Sequence, residues 1–436
     1  MNWVTRYRIK LYLRNSIWIL PVLSIAAGLL SVVLLNRLEL AMGWRMDLDP
    51  DTGRTVMSTI AASMFTLVAI SCSAVLLLVQ LASAQLTPRI IALVYRSSVR
   101  KLSISLFTFT FTFSVAVLVR IEDHVPLLTG HLAAYLFLIN LALFLHFIDS
   151  MGKTLRPSAA LRNVALAGRE VIRDVYPEQL HAAESRLPKP VMTLNGDRHR
   201  VVLNKTDGVI LAFDLKGLVA LAARSNCLIE LIPEVGDFTA AGDPLFRIYE
   251  GGDGLKDDDL RGSIALGQER TLEQDPMFAF RIIVDIASKA LSPAINDPTT
   301  AVLSIDQIHH LLRDIGQRHL MDGRGTDGGG HLRFIYRTAD WEDFVHLAVT
   351  EIRQYGRDSV QVMRRLKAML ENLIETLPEQ RAPLLRKELR LLASSSKRMF
   401  PELDDQILAD TGDLQGMGGG NTERQRTPVR SSATTR

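Results

Sequence analysis

Apolar residues in the first third of the chain run on without interruption instead of alternating with polar ones. Four stretches, near residues 17–35, 57–81, 102–119 and 127–148, contain no Asp, Glu, Lys or Arg. A helix rises about 1.5 Å per residue, so roughly 20 apolar residues cross the ~30 Å hydrocarbon core of a bilayer. The pattern predicts a bundle of four transmembrane helices within residues 1–150. Thr87-Pro88-Arg89 ends the second, where proline stops the helix and arginine reaches toward the headgroups.

Beyond Asp149 no such run recurs, and the spacing becomes that of a chain folding in water as an α+β region. A helical stalk is expected over 151–186, interrupted by Pro177. Short runs of β-branched and aromatic residues follow at Val191 to Leu194, Arg200 to Leu203, Gly208 to Phe213, Cys227 to Ile232 and Leu245 to Tyr249, with turn formers such as Asn195-Gly196-Asp197 and one short helix over Leu215 to Arg224. These define a small β-rich domain over 187–262. A mainly helical domain is expected over 263–410. There Asp275-Pro276 and Asp297-Pro298 both read as helix starts, with Asp as N-cap and Pro at the first helical position. Gly323 to Gly330 reads as a flexible loop and His331 to Tyr336 as a strand. Amphipathic helices then cover Trp341 to Tyr355, Asp358 to Thr376 and Pro378 to Ser396. The tail over 411–436 is polar enough to be expected disordered.

Charge adds orientation. Fifty basic residues against 47 acidic ones leave no basic excess of the kind a nucleic-acid binder shows. Their placement is uneven. Arg6, Arg8, Lys10 and Arg14 precede the first span, and Arg89, Arg96, Arg100 and Lys101 lie between the second and third, without acids. The first loop mixes Arg37, Arg45 and Arg54 with Glu39, Asp47, Asp49 and Asp51. Basic residues near a span stay inside, so both termini and the whole polar region are expected in the cytoplasm. The bilayer is then the first partner. The apolar core of the first span is longer than that of a cleavable signal.

Within the spans the polar residues are chiefly hydroxyls. Thr59, Ser63, Thr66, Ser73 and Gln80 form one stripe on the second span, and the third carries two, Ser103 with Thr110 and Ser114, and Ser105 with Thr108 and Thr112. Such stripes serve close helix packing, including assembly into a homo-oligomer, or in the sharper reading line a permeation path. Asn140 and His131 in the fourth span are lone polar groups, expected to be satisfied by a neighbouring helix or to lie near an interface.

Candidate chemistry is sparse. No phosphate-cradling Gly-Lys-Ser/Thr loop, Gly-x-Ser-x-Gly elbow or His-Glu-x-x-His zinc helix occurs. Cys72 and Cys227 show no metal-ligand spacing and are not expected to pair, and the adjacent His309 and His310 point different ways on one helix, so no metal site is expected. The densest polar signals are Arg270, Asp275, and the corner holding Ser292, Asn296, Asp297, Thr299 and Thr300. The corner reads as a capped turn between helices; alternatively its side chains converge on a positive helix N-terminus suited to a polar ligand. Asp275, Asp285 and Asp297 would supply acid or base chemistry only if they met in one cleft.

Val235-Gly236-Asp237-Phe238 and Gly242-Asp243-Pro244-Leu245 resemble the repeated turn of barrel-sandwich domains such as the biotinyl and lipoyl carriers. The carrier lysine is missing, since Glu250-Gly251-Gly252-Asp253 comes next, so no swinging cofactor is implied. More broadly, the four-span start, Gln85-Leu86-Thr87-Pro88-Arg89, the Gly236-Asp237-Phe238 turn and Ala290-Leu291-Ser292-Pro293-Ala294-Ile295-Asn296-Asp297-Pro298 resemble the domain-of-unknown-function 2254 family of bacterial membrane proteins. That resemblance implies a cell-membrane location and brings no activity with it. The expected function is an oligomeric, non-catalytic membrane module with a cytoplasmic ligand-sensing or regulatory domain, channel-like in one version. The alternative is a membrane-bound enzyme centred on Asp275 and Asn296-Asp297.

Overall fold

The computed structural model describes residues 2–43, 45–46, 49–122, 125–180, 199–320 and 323–418. They form two compact units, Arg8–Ala160 and Leu161–Arg436 with Met1–Tyr7.

The chain begins with helices α1 (Trp3–Asn15), α2 (Ile19–Met42), α3 (Pro50–Gln85), α4 (Ile91–Tyr95), α5 (Ser98–Leu118) and α6 (Leu127–Thr154). Two-residue strands β1 (Arg45–Met46) and β2 (Val125–Pro126) pair antiparallel between them. Helices α2, α3, α5 and α6 are long and apolar enough to cross a membrane. Helix α3 outruns its apolar stretch at the front, because Asp49 accepts from the Thr52 N–H at 3.0 Å and Pro50 needs no N–H partner. Past its end, Thr87 caps a 3-10 turn over Pro88–Ile90.

Helix α5 is the enclosed member of the bundle, and of its hydroxyl residues Ser103, Ser105, Thr110 and Ser114 are buried. Asn140 of α6 donates to Thr110 Oγ1 at 2.7 Å, so this polar group finds its partner on a neighbouring span. His131 sits exposed in the first turns of α6, with Nδ1 2.7 Å from the Leu127 carbonyl. Around this seam pack Met57, Met64, Phe113, Val117 and Ala133. At the basic end of α5, Lys101 donates to the Arg14 carbonyl at 2.6 Å and Arg100 to the Val94 carbonyl at 3.1 Å. Both cations thus sit on carbonyls at helix C-terminal ends, where the dipole favours them.

The second unit starts within α7 (Pro157–Val175). The stalk expected here is instead a wall of the folded core: Leu161, Val164, Ala165 and Ile172 are buried. A Cβ on Gly168 would come within 2.6 Å of the Ala279 methyl, which shows how closely α7 lies on its neighbour. Arg169 pairs with Asp314 at 2.5 Å. Residues 181–186 of the expected stalk, the strand expected at Val191 to Leu194 and the Asn195-Gly196-Asp197 turn lie outside the described residues.

Strands β3 (His199–Leu203) and β4 (Gly208–Phe213) lead into α8 (Leu215–Arg224), capped by Asp214. Then come β5 (Leu228–Leu231), β6 (Phe238–Thr239), β7 (Pro244–Tyr249), α9 (Asp257–Arg261) and β8 (Ile264–Gly267). Helices α10 (Pro276–Ala290) and α11 (Pro298–Gly316), the hairpin β9 (Arg324–Thr326) and β10 (Leu332–Tyr336), and α12 (Trp341–Tyr355), α13 (Val360–Thr376), α14 (Ala382–Met399) and α15 (Leu403–Ala409) complete the unit. One sheet runs β3-β7-β5-β10-β9 and another β6-β4-β8. Among the described residues only the β5–β10 pair is parallel, with Ile229 opposite Phe334. The strands therefore do not end at residue 262, because β8 and the late hairpin complete both sheets. The β core is built on Leu218, Ile229, Phe246, Ile248 and Phe334.

Two expectations are corrected. Residues 323–330 are not a flexible loop. Arg324–Thr326 is a strand, and the Asp327 carboxylate accepts from the N–H groups of Gly329 and His331 at 2.9 and 3.0 Å and from Arg333 Nε at 2.8 Å. Residues 411–418, placed in a disordered tail, fold back onto α13. Arg364 donates to the Thr411 and Gly418 carbonyls at 3.0 Å each, and Asp413 accepts from Gln415 and Gly418 N–H groups. Residues 419–436 are outside the described residues.

Candidate functional site

Asp275 ends the loop before α10 as its N-cap, with Oδ1 accepting the Phe278 N–H at 3.0 Å and Pro276 opening the helix. The same carboxyl forms part of the lining of a cavity of about 420 Å³. Only 4% of Asp275 is exposed, and Oδ2 accepts no hydrogen bond among the described residues. The nearest cation, Arg270 Nη1, stands 3.7 Å from Oδ2, while Arg270 Nε is committed to the Gly236 carbonyl at 2.9 Å. Burial raises the Asp275 carboxyl to about 6, because removing water costs the ionised form more than Arg270 and the cap N–H return.

Gly236 makes this arrangement possible. Its φ is +97°, and a Cβ there would fall 2.8 Å from both Arg270 Cζ and Asp275 Oδ2. The turn is held by Asp237, which accepts the Glu234 N–H at 2.8 Å, and by the Gly236 N–H donating to Ile210 at 2.8 Å. The cavity is acidic. Asp174, Glu234, Asp237, Glu273, Asp275 and Asp343 line it, against Arg270 and Arg337 as the basic residues of the lining. The Glu234 carboxyl is also raised, first by burial and then by Asp237 and Asp343. Phe213 and Tyr336, with ring centroids 4.8 Å apart, supply an aromatic wall. Tyr176 joins them, its hydroxyl donating to the Ala339 carbonyl at 3.1 Å.

Of the residues singled out in the sequence, Arg270 and Asp275 are brought together here and the corner is not. Helix α10 separates them, since 15 residues span about 22 Å. At the corner, Asp297 accepts the Thr300 N–H at 3.1 Å and the Thr300 hydroxyl at 2.5 Å, while its own N–H donates to Ala290. Ser292 Oγ donates to the Lys289 carbonyl, Asn296 takes a left-handed φ of 47°, and Thr299 is exposed. The capping role accounts for these contacts. Asp285 lies elsewhere, paired with Arg281, which also holds Glu351. The α3 stripe faces outward from its bundle: Thr59, Thr66, Ser73 and Gln80 are exposed and Ser63 half-buried, with the threonine hydroxyls donating back to Thr55 and Ala62. Both cysteines are free. His309 is held by Asn372 at 2.9 Å.

Sequence reasoning missed Glu234, Asp237, Asp343 and Tyr336. The available signal was Gly236-Asp237, read only as a strand turn, although a positive-φ glycine also permits close approach of a charged pair.

A bundle of four apolar helices joined to a mixed α/β and helical unit with a polar cavity defines a membrane protein of mixed architecture. The chain belongs to the family described as predicted membrane protein (DUF2254), whose model matches residues 14–372. It is similar to the uncharacterized protein Rv1290c of Mycobacterium tuberculosis and the uncharacterized protein Mb1321c of Mycobacterium bovis. Each is 26% identical over 417 residues, covering 91% of this chain and 79% of the relative. No solved structure matches it.

Proposed function

We propose that the chain is an inner-membrane module, multi-pass with both termini in the cytoplasm, whose second unit senses a small ligand in the Asp275 cavity. The carrying observation is the buried Asp275 Oδ2, left without a hydrogen bond among the described residues, beside Gly236 and Arg270. A buried carboxylate oxygen of this kind costs stability unless something completes it. A cavity of about 420 Å³ lies within the size range of small-ligand sites. The basic segments before the first span and between the second and third support the orientation. Reporter fusions after residue 155 should read as cytoplasmic and fusions near Asp49 as external. The outward polar stripe of α3 supports assembly of several copies in the bilayer, since polar groups are costly against lipid. The paired Gly236-Asp237 and Gly242-Asp243 turns support a barrel-sandwich-like reading of the β region without a carrier lysine.

The sensing role is tested by melting the full chain in detergent against a panel of small metabolites, in parallel with Asp275→Asn. At least one compound should raise the wild-type melting temperature and leave the variant unmoved. A panel in which no compound separates the two chains defeats the reading.

One observation favours the enzyme alternative: a carboxyl held at about 6 is suited to accept and return a proton near neutral pH. It requires that a bound compound be consumed, which one-dimensional NMR of the mixture over hours would reveal.

A further inference from the structure

The cavity's chemistry also points to the class of its ligand. Among the described residues no grouping of three carboxylates, imidazoles or thiols comes close enough to hold a metal ion. The acidity is therefore spread around the walls and does not form a cage for one small ion. Glu234 makes no side-chain hydrogen bond among the described residues, and Asp275 keeps Oδ2 without one. Asp275 is buried and Glu234 half-buried, and each would be satisfied by a donor that brings positive charge. Arg270 cannot turn fully to that task, because its Nε is fixed on the Gly236 carbonyl. The same cavity is lined by the rings of Phe213 and Tyr336. An aromatic face attracts an ammonium group and also covers an alkyl chain.

Resting on the sensing reading above, we propose that the cavity binds a small organic cation carrying a primary ammonium group, of the size of a di- or polyamine, with the ammonium between Asp275 and Glu234 and its alkyl chain along Phe213 and Tyr336. A free inorganic anion would meet six carboxyl groups and two guanidinium groups, and repulsion would exclude it. A hydrated divalent ion would find no set of three ligands.

The test is calorimetric titration of the full chain in neutral detergent with spermidine, putrescine, magnesium chloride and inorganic phosphate. Spermidine or putrescine should bind saturably, and Asp275→Asn and Glu234→Gln should each weaken binding at least tenfold. Asn retains the N-cap oxygen at 275 and Glu234 lies in a loop, so both variants should fold, as judged by an unchanged circular dichroism spectrum. Phosphate binding that is lost in Arg270→Gln, with no amine binding, would overturn the ligand class and leave the cavity's sensing role standing. Magnesium binding that displaces the amine would do the same. If no probe binds, or if the amine binds equally to both variants, the inference fails, and the former result counts against the sensing cavity as well.

Discussion

Glu39, near the end of α2, and Thr129, in the first turn of α6, are joined by a hydrogen bond in which the Thr129 N–H donates to Oε1 at 3.0 Å. The Leu128 N–H donates to the same oxygen, and the Thr129 hydroxyl donates to Oε2 at 3.3 Å. Helix α6 has no cap of its own, since Pro126 precedes it, so an acid from another span satisfies its first amides. Glu39→Ala strands the buried Thr129 N–H and the part-buried Leu128 N–H and should cost about 1 to 3 kcal/mol. Glu39→Gln, which keeps an acceptor oxygen, should cost less. Thermal melts of the full chain in detergent measure both, and equal melting temperatures for wild type and Glu39→Ala would show that the cap does not matter.

Asp275 gives the second unit a pH dependence of defined sign. Its folded value of about 6 lies above the ordinary carboxylate value of 3.8. The folded chain thus holds a proton that the unfolded chain releases, and stability falls as pH rises from about 4 through about 6. A tenfold difference in proton affinity between the folded and unfolded chain is worth about 1.36 kcal/mol, so the loss is about 3 kcal/mol at most. Asp275→Asn keeps the cap oxygen and removes the titration. Its melting temperature relative to wild type should climb between pH 4 and 7 and level off above. A constant difference across that window would mean that the carboxyl titrates normally.

At the corner the capping account makes its own forecast. Asp297→Ser should retain most stability, because serine also caps, whereas Asp297→Ala should lose about 0.5 to 2 kcal/mol. Urea titration of the two variants decides this. A serine variant that melts like wild type but fails to rescue a deletion phenotype would assign the corner a role beyond the cap.

The outward stripe on α3 separates a packed seam from a water-lined path. With Cys72 replaced, cysteines at Thr66 and Ser73 should stay unreactive to small polar thiol reagents, while Ser73→Leu should disrupt assembly. Labelling at both positions, together with ion flux in liposomes, would favour the path.

The elements legible in the sequence were those whose cause is local. Asp275-Pro276 and Asp297-Pro298 announce the starts of α10 and α11 because the cap and the proline act within one turn. Asp49-Pro50 carries the same signal for α3, and hydropathy, which sees only the apolar stretch behind it, does not register it. What depended on distant partners was hidden. The burial of α7 requires Ala279 and Leu311 against Gly168, and no periodicity in α7 alone says what it faces. The order given to 411–418 comes from Arg364, in another helix. At the cavity, Arg270 and Asp275 stood out by their neighbours in sequence, whereas Glu234 and Tyr336 reach it only because the turn and the late hairpin bring them there.

The position of β10 inside its sheet governs the order in which the chain can be completed during synthesis. Strand β5 leaves the ribosome shortly before β7, its partner on one side, and its other edge waits for residues 334–336, roughly a hundred positions later. At about 5 to 20 residues per second, that edge stays open for several seconds or more. Throughout the interval it presents unpaired backbone groups that another nascent strand can join. Tyr336 of β10 also arrives late at the cavity wall, with Arg337 and Asp343 just behind it, so the protein acquires its pocket only after this sheet closes.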